Sequence, residues 1–208
     1  NLRAGESLPA VRGALSAPRD RFASPPGGAS VVHADRFTAV SRVTIVEFGH
    51  LTLGFDGAIF LNRDMPELRD PGTAAWFRLA TSDALGRDLV VWAIDLPSDL
   101  RLGRRDVMTR SMIAIGAWAG PTMVRQEGGN YAISAPGGGR VGFPAPDVII
   151  GDFNTPGGSY AIAELASRAG ASAGVGGRLA DAHASAGVGA DGTYPSVVPR
   201  WLGWGIDR

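Results

Sequence analysis

The sequence predicts an α+β fold in which short strands outnumber helices. Its 208 residues, 45% of them hydrophobic, are enough for one domain with a hydrophobic core of ordinary size. Apolar and β-branched runs recur along the chain, whereas helical periodicity is found in two segments. The 30 Gly and 14 Pro residues supply the connecting loops. We therefore expect a single domain over residues 1–208.

Seven segments have the apolar, β-branched composition that is typical of strands. They are residues 30–33, 42–48, 58–61, 75–80, 89–96, 148–152 and 204–207. The segment at 148–152 begins with an apolar run that lacks polar alternation. That composition predicts a strand that is buried on both faces.

Two segments have the apolar periodicity of helices. The first covers residues 104–119, and its apolar face carries Met108, Met112, Ile115 and Trp118. The second covers residues 159–170, between the N-cap residue Ser159 and the C-terminal Gly170, with Ile162, Leu165 and Ala169 facing inward. Both helices are therefore expected to pack one face against the sheet.

The most informative motif is Gly151-Asp152-Phe153-Asn154, which ends the strand at 148–152. Residues two apart in an extended chain point to the same side, so Asp152 and Asn154 are expected to lie together. A carboxylate and an amide in this arrangement can reach one phosphate group and its metal ion. The sequence therefore indicates Asp152 as the first candidate for a catalytic or metal-binding residue.

This motif resembles the signature of the endonuclease/exonuclease/phosphatase superfamily, which has the DNase I-like fold. Residues 1–4 are similar to the family's opening motif, and residues 88–98 resemble its central strand. Residues 193–195 and 204–208 are similar to a later turn that leads into an Ile-Asp strand. The bacterial branch of this family that the chain resembles contains membrane-tethered phosphatases of the teicoplanin-resistance type.

The resemblance implies two packed, mostly antiparallel sheets flanked by helices, arranged as a four-layer sandwich. It also implies metal-dependent phosphoester hydrolysis with Mg²⁺ or Mn²⁺. The catalytic residues would be Asp152, Asn154 and Asp207, the metal ligands Asn1, Asp95 and Asp152, and the substrate-binding residues Asn154, Thr193, Tyr194 and Arg101. In these roles Asp152 positions the attacking water, Asn154 donates to a phosphoryl oxygen, and Asp207 orients a histidine.

The chain departs from the family pattern at three places. No apolar run ending in Gln-Glu occurs between Ala14 and Ser30, and Ala93 and Asp95 stand where the family has Asn and His. The closing Asp-His pair would lie beyond Arg208. We expect that the missing strands are omitted from this sequence, because their loss would leave sheet edges exposed. If the catalytic set is instead incomplete, the alternative is a noncatalytic module that binds phosphate or lipid.

The charge composition narrows the class of partner. All 20 basic residues are Arg and the formal net charge is zero, so the broad positive field of a nonspecific nucleic-acid binder is absent. Arg101, Arg104 and Arg105 form the densest basic cluster, for which a solvated helix start is favoured over phosphate binding. A small phosphoester or lipid-phosphate substrate is therefore favoured, while nucleic acid stays an open but less favoured alternative. The chain is also expected to be a monomer.

Other sequence features set limits on cofactors and location. The absence of Cys excludes disulfides and thiolate metal sites. The longest uncharged stretch, residues 111–124, is too short for a membrane span, so a tether of the kind implied by the resemblance would lie before Asn1. None of His33, His50 and His183 lies where the family places its catalytic imidazole.

Overall fold

The computed structural model describes residues 30–58, 69–99, 101–134, 141–155, 160–172 and 179. The strands in these ranges are β1 (Ser30–Ala34), β2 (Phe37–Ser41), β3 (Ile45–Thr52), β4 (Gly57–Ala58), β5 (Arg69–Asp70), β6 (Thr73–Leu79), β7 (Leu89–Asp95), β8 (Met123–Arg125), β9 (Tyr131–Ile133) and β10 (Val148–Asp152). The helices are α1 (Ser82–Leu85), α2 (Arg104–Gly116) and α3 (Tyr160–Ser172).

Six of these strands form a mixed sheet in the order β10-β7-β6-β3-β8-β9. β10 runs parallel to β7, whereas the other neighbouring strands of this sheet are antiparallel. The hairpins β1–β2 and β4–β5 form two separate antiparallel pairs. The fold is therefore mixed α and β, with a mostly antiparallel sheet, as the sequence predicted at this level.

The six-stranded sheet is covered on both faces. On one face, Trp76, Trp92 and Ile94 pack with buried residues of α2 and α3. On the opposite face, Phe48, Phe77 and Ala93 pack with the β1–β2 hairpin. This division follows the period of two along each strand, because successive side chains point to opposite faces. It creates a helical layer, a sheet layer and a hairpin layer.

Gly49 shows how tightly the helical side of the sheet is packed. This residue is buried in the middle of β3, where an added Cβ would lie 2.8 Å from ring atoms of both Trp76 and Trp118. The two indole rings meet edge to face with centroids 6.1 Å apart, and Trp118 Nε1 donates to the His50 carbonyl at 3.0 Å. The strand predicted for residues 42–48 therefore ends too early, since β3 continues through Gly49, which makes room for the tryptophans.

The prediction that β10 is buried on both faces is also wrong. β10 is an edge strand of the described sheet, and Val148 and Ile150 are 43% and 51% exposed. α2 ends at Gly116 rather than Ala119. Trp118 therefore lies in the segment that follows the helix, and its side chain is buried in the core. None of the helices in the described ranges combines the length and apolar character required to cross a bilayer.

Candidate functional site

Three polar residues lie side by side where β6, β7 and β10 meet. Thr73 of β6 is directly opposite Asp95 of β7, and Asp95 is in register with Asp152 of β10. Residues paired in this way point to the same face of a sheet. Asp95 shares its face with Ala93, which packs with the β1–β2 hairpin. We call Thr73, Asp95 and Asp152 the polar row.

The parallel pairing of β7 and β10 brings the two carboxylates together. Both strands end at this edge of the sheet, and the Leu96 N–H donates to the Asp152 carbonyl at 2.8 Å just beyond β7. Gly151 permits this approach because its φ is 145°, and an added Cβ would overlap the Ile94 carbonyl oxygen. Glycine is therefore needed at position 151 so that β10 can pair closely with β7, and this pairing places Asp152 beside Asp95.

A third carboxylate and one guanidinium complete the cluster. Asp70, at the end of β5, is 7% exposed and accepts a hydrogen bond from the Ser98 N–H at 3.0 Å. Arg36 Nη1 lies 3.2 Å from Asp70 Oδ1 and 3.4 Å from Asp95 Oδ2. Arg36 therefore partly neutralises Asp95, the residue that stands where the resemblance led us to expect histidine.

The cluster nevertheless holds excess negative charge. Burial raises the pKa of Asp95 above its ordinary value, and the neighbouring Asp70 and Asp152 carboxylates raise it further, against the opposing effect of Arg36. Beside Asp95, the Thr73 residue is 1% exposed, and its Oγ1 has no hydrogen-bond partner among the described residues. A cation at the polar row would satisfy both groups, because it can take the Asp95 carboxylate and the Thr73 hydroxyl oxygen as ligands.

We expect the Asp95→Asn variant to be more stable than the parent protein at neutral pH without divalent cations. Since the Asp95 pKa is raised in the folded state, this group favours folding when protonated, and that contribution is lost as pH rises through the folded pKa. Urea denaturation at pH values between 3 and 8 should therefore show the largest gain for the variant at the alkaline end.

The exposed Asp83 of α1 supplies the matched control for this measurement. Asp83→Asn makes the same chemical change at an exposed position outside the cluster, and it is expected to alter stability little. Mg²⁺ should stabilise the parent protein more than the Asp95→Asn variant, because the variant lacks one carboxylate. A stability gain for Asp95→Asn that is the same at every pH would contradict this explanation.

Asn154 occupies a strained turn directly after β10. Its φ is 46°, its backbone N–H donates to Asp152 Oδ1 at 2.9 Å, and its Nδ2 donates to the Leu96 carbonyl at 2.6 Å. The side chain therefore joins the ends of β10 and β7. Because an amide nitrogen carries two hydrogens, the expected donation from Asn154 to a phosphoryl oxygen stays a prediction.

Arg104 is turned inward, contrary to the expectation of a solvated helix start. Its guanidinium donates to four backbone carbonyl oxygens, which belong to Pro97, Asp99, Leu102 and Asn154. The Pro97 contact is 2.6 Å and the Asn154 contact is 3.4 Å. Arg104 thus ties together the two loops that follow β7 and β10. Burial lowers its pKa, while Asp99 and Asp70 oppose that change.

Arg101, predicted as a substrate ligand, forms a fork with its own loop. Its Nε and Nη2 donate to the Asp99 carboxylate at 2.9 and 2.6 Å, and its side chain is 74% exposed. These hydrogen bonds raise the pKa of Arg101. The structure pairs Arg101 with the buried Asp99 carboxylate, and the contact of Arg101 with substrate stays a prediction.

Four of the predicted site residues lie outside the described residues. They are Asn1, Thr193, Tyr194 and Asp207. The structure in turn adds Arg36, Asp70 and Thr73, which sequence reasoning did not select. Asp70 carried a weak signal, because it precedes Pro71 and Gly72 at a turn. Nothing in the local sequence marks Arg36 or Thr73.

The donor chemistry of the site suits a hard divalent cation, although the ligand set is small. No group of three or more His, Asp or Glu side chains within the described ranges is arranged to hold a metal ion. Mg²⁺ commonly uses one or two carboxylates together with water and substrate phosphate. Asp95 and Asp152, with the buried Thr73 hydroxyl beside them, fit that smaller requirement.

Comparison with protein-family models, curated proteins and solved structures finds no match for this chain.

Proposed function

We propose that this chain is a metal-dependent phosphoester hydrolase, a phosphatase or phosphodiesterase, whose site is the polar row with Asp70 and Arg36. The observation that carries the proposal is the register of Asp95 with Asp152 at the ends of two parallel strands. Catalytic residues are commonly delivered from such strand ends by a rigid sheet. The resemblance of the Gly151-Asp152-Phe153-Asn154 motif to the endonuclease/exonuclease/phosphatase superfamily supports the same activity, with Mg²⁺ or Mn²⁺ as the cofactor.

In this proposal the residues have separate tasks. Asp95 and Asp152 hold the cation, which when bound neutralises charge on the phosphoryl oxygens. Asp152 also positions the attacking water, and Asn154 orients the phosphoryl group from the adjoining turn. Arg104 keeps both loops in place through their carbonyl oxygens. Hydrogen bonds to the backbone therefore connect the loops of the site to α2, which packs in the core.

An apolar strip beside the site supports a substrate with a hydrophobic group. Val148 and Ile150 lie on the same face of β10 as Asp152, since residues at even spacing along a strand share a face. They are exposed, whereas polar residues would be expected on a solvated strand face. Of the substrates that the charge composition allows, a lipid phosphate fits this strip better than a small polar phosphoester.

Hydrolysis by the parent protein should require Mg²⁺ or Mn²⁺ and should fall about 10²–10⁴-fold in the Asp152→Asn variant. This substitution keeps an oxygen that accepts the Asn154 N–H, so the turn is retained while the charge is removed. Phosphate release should be measured for phosphomonoesters and phosphodiesters with short and long alkyl groups. Asp83→Asn is the matched control, and thermal unfolding of each variant checks the fold.

The outcome also separates the two classes of function. A protein that binds inorganic phosphate but hydrolyses none of these esters with either cation is a noncatalytic module. That alternative gains weight from the histidines, because neither His33 nor His50, the two in the described ranges, belongs to the polar row. Hydrolysis that is unchanged in Asp152→Asn would place the chemistry elsewhere.

A further inference from the structure

We propose that Arg36 binds the phosphate group of the substrate and that Asp70 is the residue that positions it. This inference rests on the proposed function and adds a substrate-binding residue to the same site. It follows from the position of Arg36, from the way Asp70 is fixed, and from the formal charges of the cluster.

Arg36 reaches the site from a different sheet. It follows Asp35, whose φ is 54°, in the tight turn between β1 and β2. The hairpin packs on the face of the six-stranded sheet that carries the polar row, with Val32 and Ala34 almost fully buried. The turn therefore presents the Arg36 guanidinium to Asp70 and Asp95 from a supported position.

Asp70 is the fixed partner of this pair. Its carboxylate accepts hydrogen bonds from the Ser98 N–H at 3.0 Å, the Ser98 hydroxyl at 3.4 Å and the Gly72 N–H at 3.4 Å. The Asp70 side chain is 9% exposed, whereas that of Arg36 is 42% exposed. Backbone donors thus hold Asp70, and Asp70 holds a guanidinium that solvent and ligands can still reach.

Much of the Arg36 donor capacity faces no described partner. Both of its ion pairs use Nη1, and its Nε and Nη2 make no hydrogen bond to a described residue. A guanidinium has five N–H donors in a planar fork that matches the oxygens of a phosphate. Arg36 can therefore keep its contact with Asp70 through Nη1 and offer its Nε and Nη2 edge to a phosphate.

The formal charges favour this assignment. Three carboxylates and one guanidinium give the cluster a formal charge of minus two, which a single divalent cation neutralises. Without Arg36 the same cluster would stay negative after the cation binds and would repel a phosphate. The guanidinium thus makes an acidic site compatible with an anionic substrate.

Isothermal titration calorimetry of inorganic phosphate with the intact protein, in the presence of Mg²⁺, tests the inference without requiring turnover. Arg36→Ala should weaken phosphate binding by about 10-fold or more. Arg36→Lys should restore only part of the affinity, because an ammonium lacks the planar fork. Arg87→Ala is the matched control, since Arg87 is an exposed arginine that is ion-paired with Asp147 at the opposite end of β7.

Asp70→Asn separates positioning from direct binding. This variant should weaken phosphate binding by a smaller factor than Arg36→Ala does. The double variant, with Asp70→Asn and Arg36→Ala together, should bind phosphate no more weakly than Arg36→Ala alone. Two results would overturn the inference: phosphate affinity in Arg36→Ala equal to that of the parent, or no phosphate binding by the parent with Mg²⁺. Thermal unfolding of each variant establishes that it is folded.

Kinetics distinguish failure of this inference from failure of the proposed function. If the parent hydrolyses phosphoesters and Arg36→Ala has an unchanged KM, the hydrolase proposal stands and the role of Arg36 is wrong. If the parent binds phosphate through Arg36 but hydrolyses nothing, the role of Arg36 stands and the hydrolase proposal fails.

Discussion

Replacement of Gly151 with Ala is expected to destabilise the protein by about 3 kcal/mol or more. The φ of 145° at this position is unfavourable for any residue with a side chain. An added Cβ would also lie 2.7 Å from the Ile94 carbonyl carbon and would overlap its oxygen. Because the obstacle is backbone, relief requires β10 to move away from β7, which separates Asp152 from Asp95.

Gly86→Ala provides the matched control for this glycine. Gly86 ends α1 with a φ of 72°, and no atom lies within 4 Å of an added Cβ. Its replacement should therefore cost only about 1 kcal/mol from backbone strain. Urea denaturation monitored by circular dichroism measures both variants. Equal losses at the two positions would show that β10 does not approach β7 as closely as described.

Arg104→Ala is expected to lower the free energy of unfolding by about 2–4 kcal/mol. The substitution removes the donor group from four carbonyl oxygens in the loops that follow β7 and β10. Arg104→Lys should recover little of the loss, because one ammonium group cannot serve carbonyls spread around a planar guanidinium. The proposed phosphoesterase activity should fall with stability, since the same loops carry Asn154.

The neighbouring Arg105 makes this prediction specific. Arg105 lies in the same helical turn but is exposed, with its guanidinium 5.3 Å from the ring centroid of Tyr160. Arg105→Ala should cost about 1 kcal/mol or less. If Arg105→Ala and Arg104→Ala unfold at the same urea concentration, the carbonyl contacts of Arg104 contribute little.

The main elements could be predicted because their signals are local. β7 and β10 are apolar runs, and α2 and α3 have apolar residues at helical spacing, so all four were recognised, although α2 ends earlier than predicted. β8 and β9 have three residues each and carry too little pattern to be recognised. Their place in the sheet is set by pairing with β3 and with each other, which is a tertiary effect.

The candidate site was predictable only in part for the same reason. Asp152 and Asp95 each end a recognisable strand, so the sequence selected both. Arg36 and Asp70 are 34 positions apart and meet only because the β1–β2 hairpin packs on the sheet. Thr73 enters the site through antiparallel register with Asp95. Contacts of this kind depend on topology, which local composition does not encode.

The position of β10 at the edge of the described sheet affects the local stability of the site. Asp152 depends on a strand with one described neighbour, whereas Asp95 lies on β7 between two. Strands at an edge open locally at a lower free energy than central strands, as amide hydrogen exchange detects. Transient release of β10 would divide the two carboxylates between an open segment and an intact core. Local opening of this one strand, rather than global unfolding, is therefore expected to be the first event that separates Asp152 from Asp95.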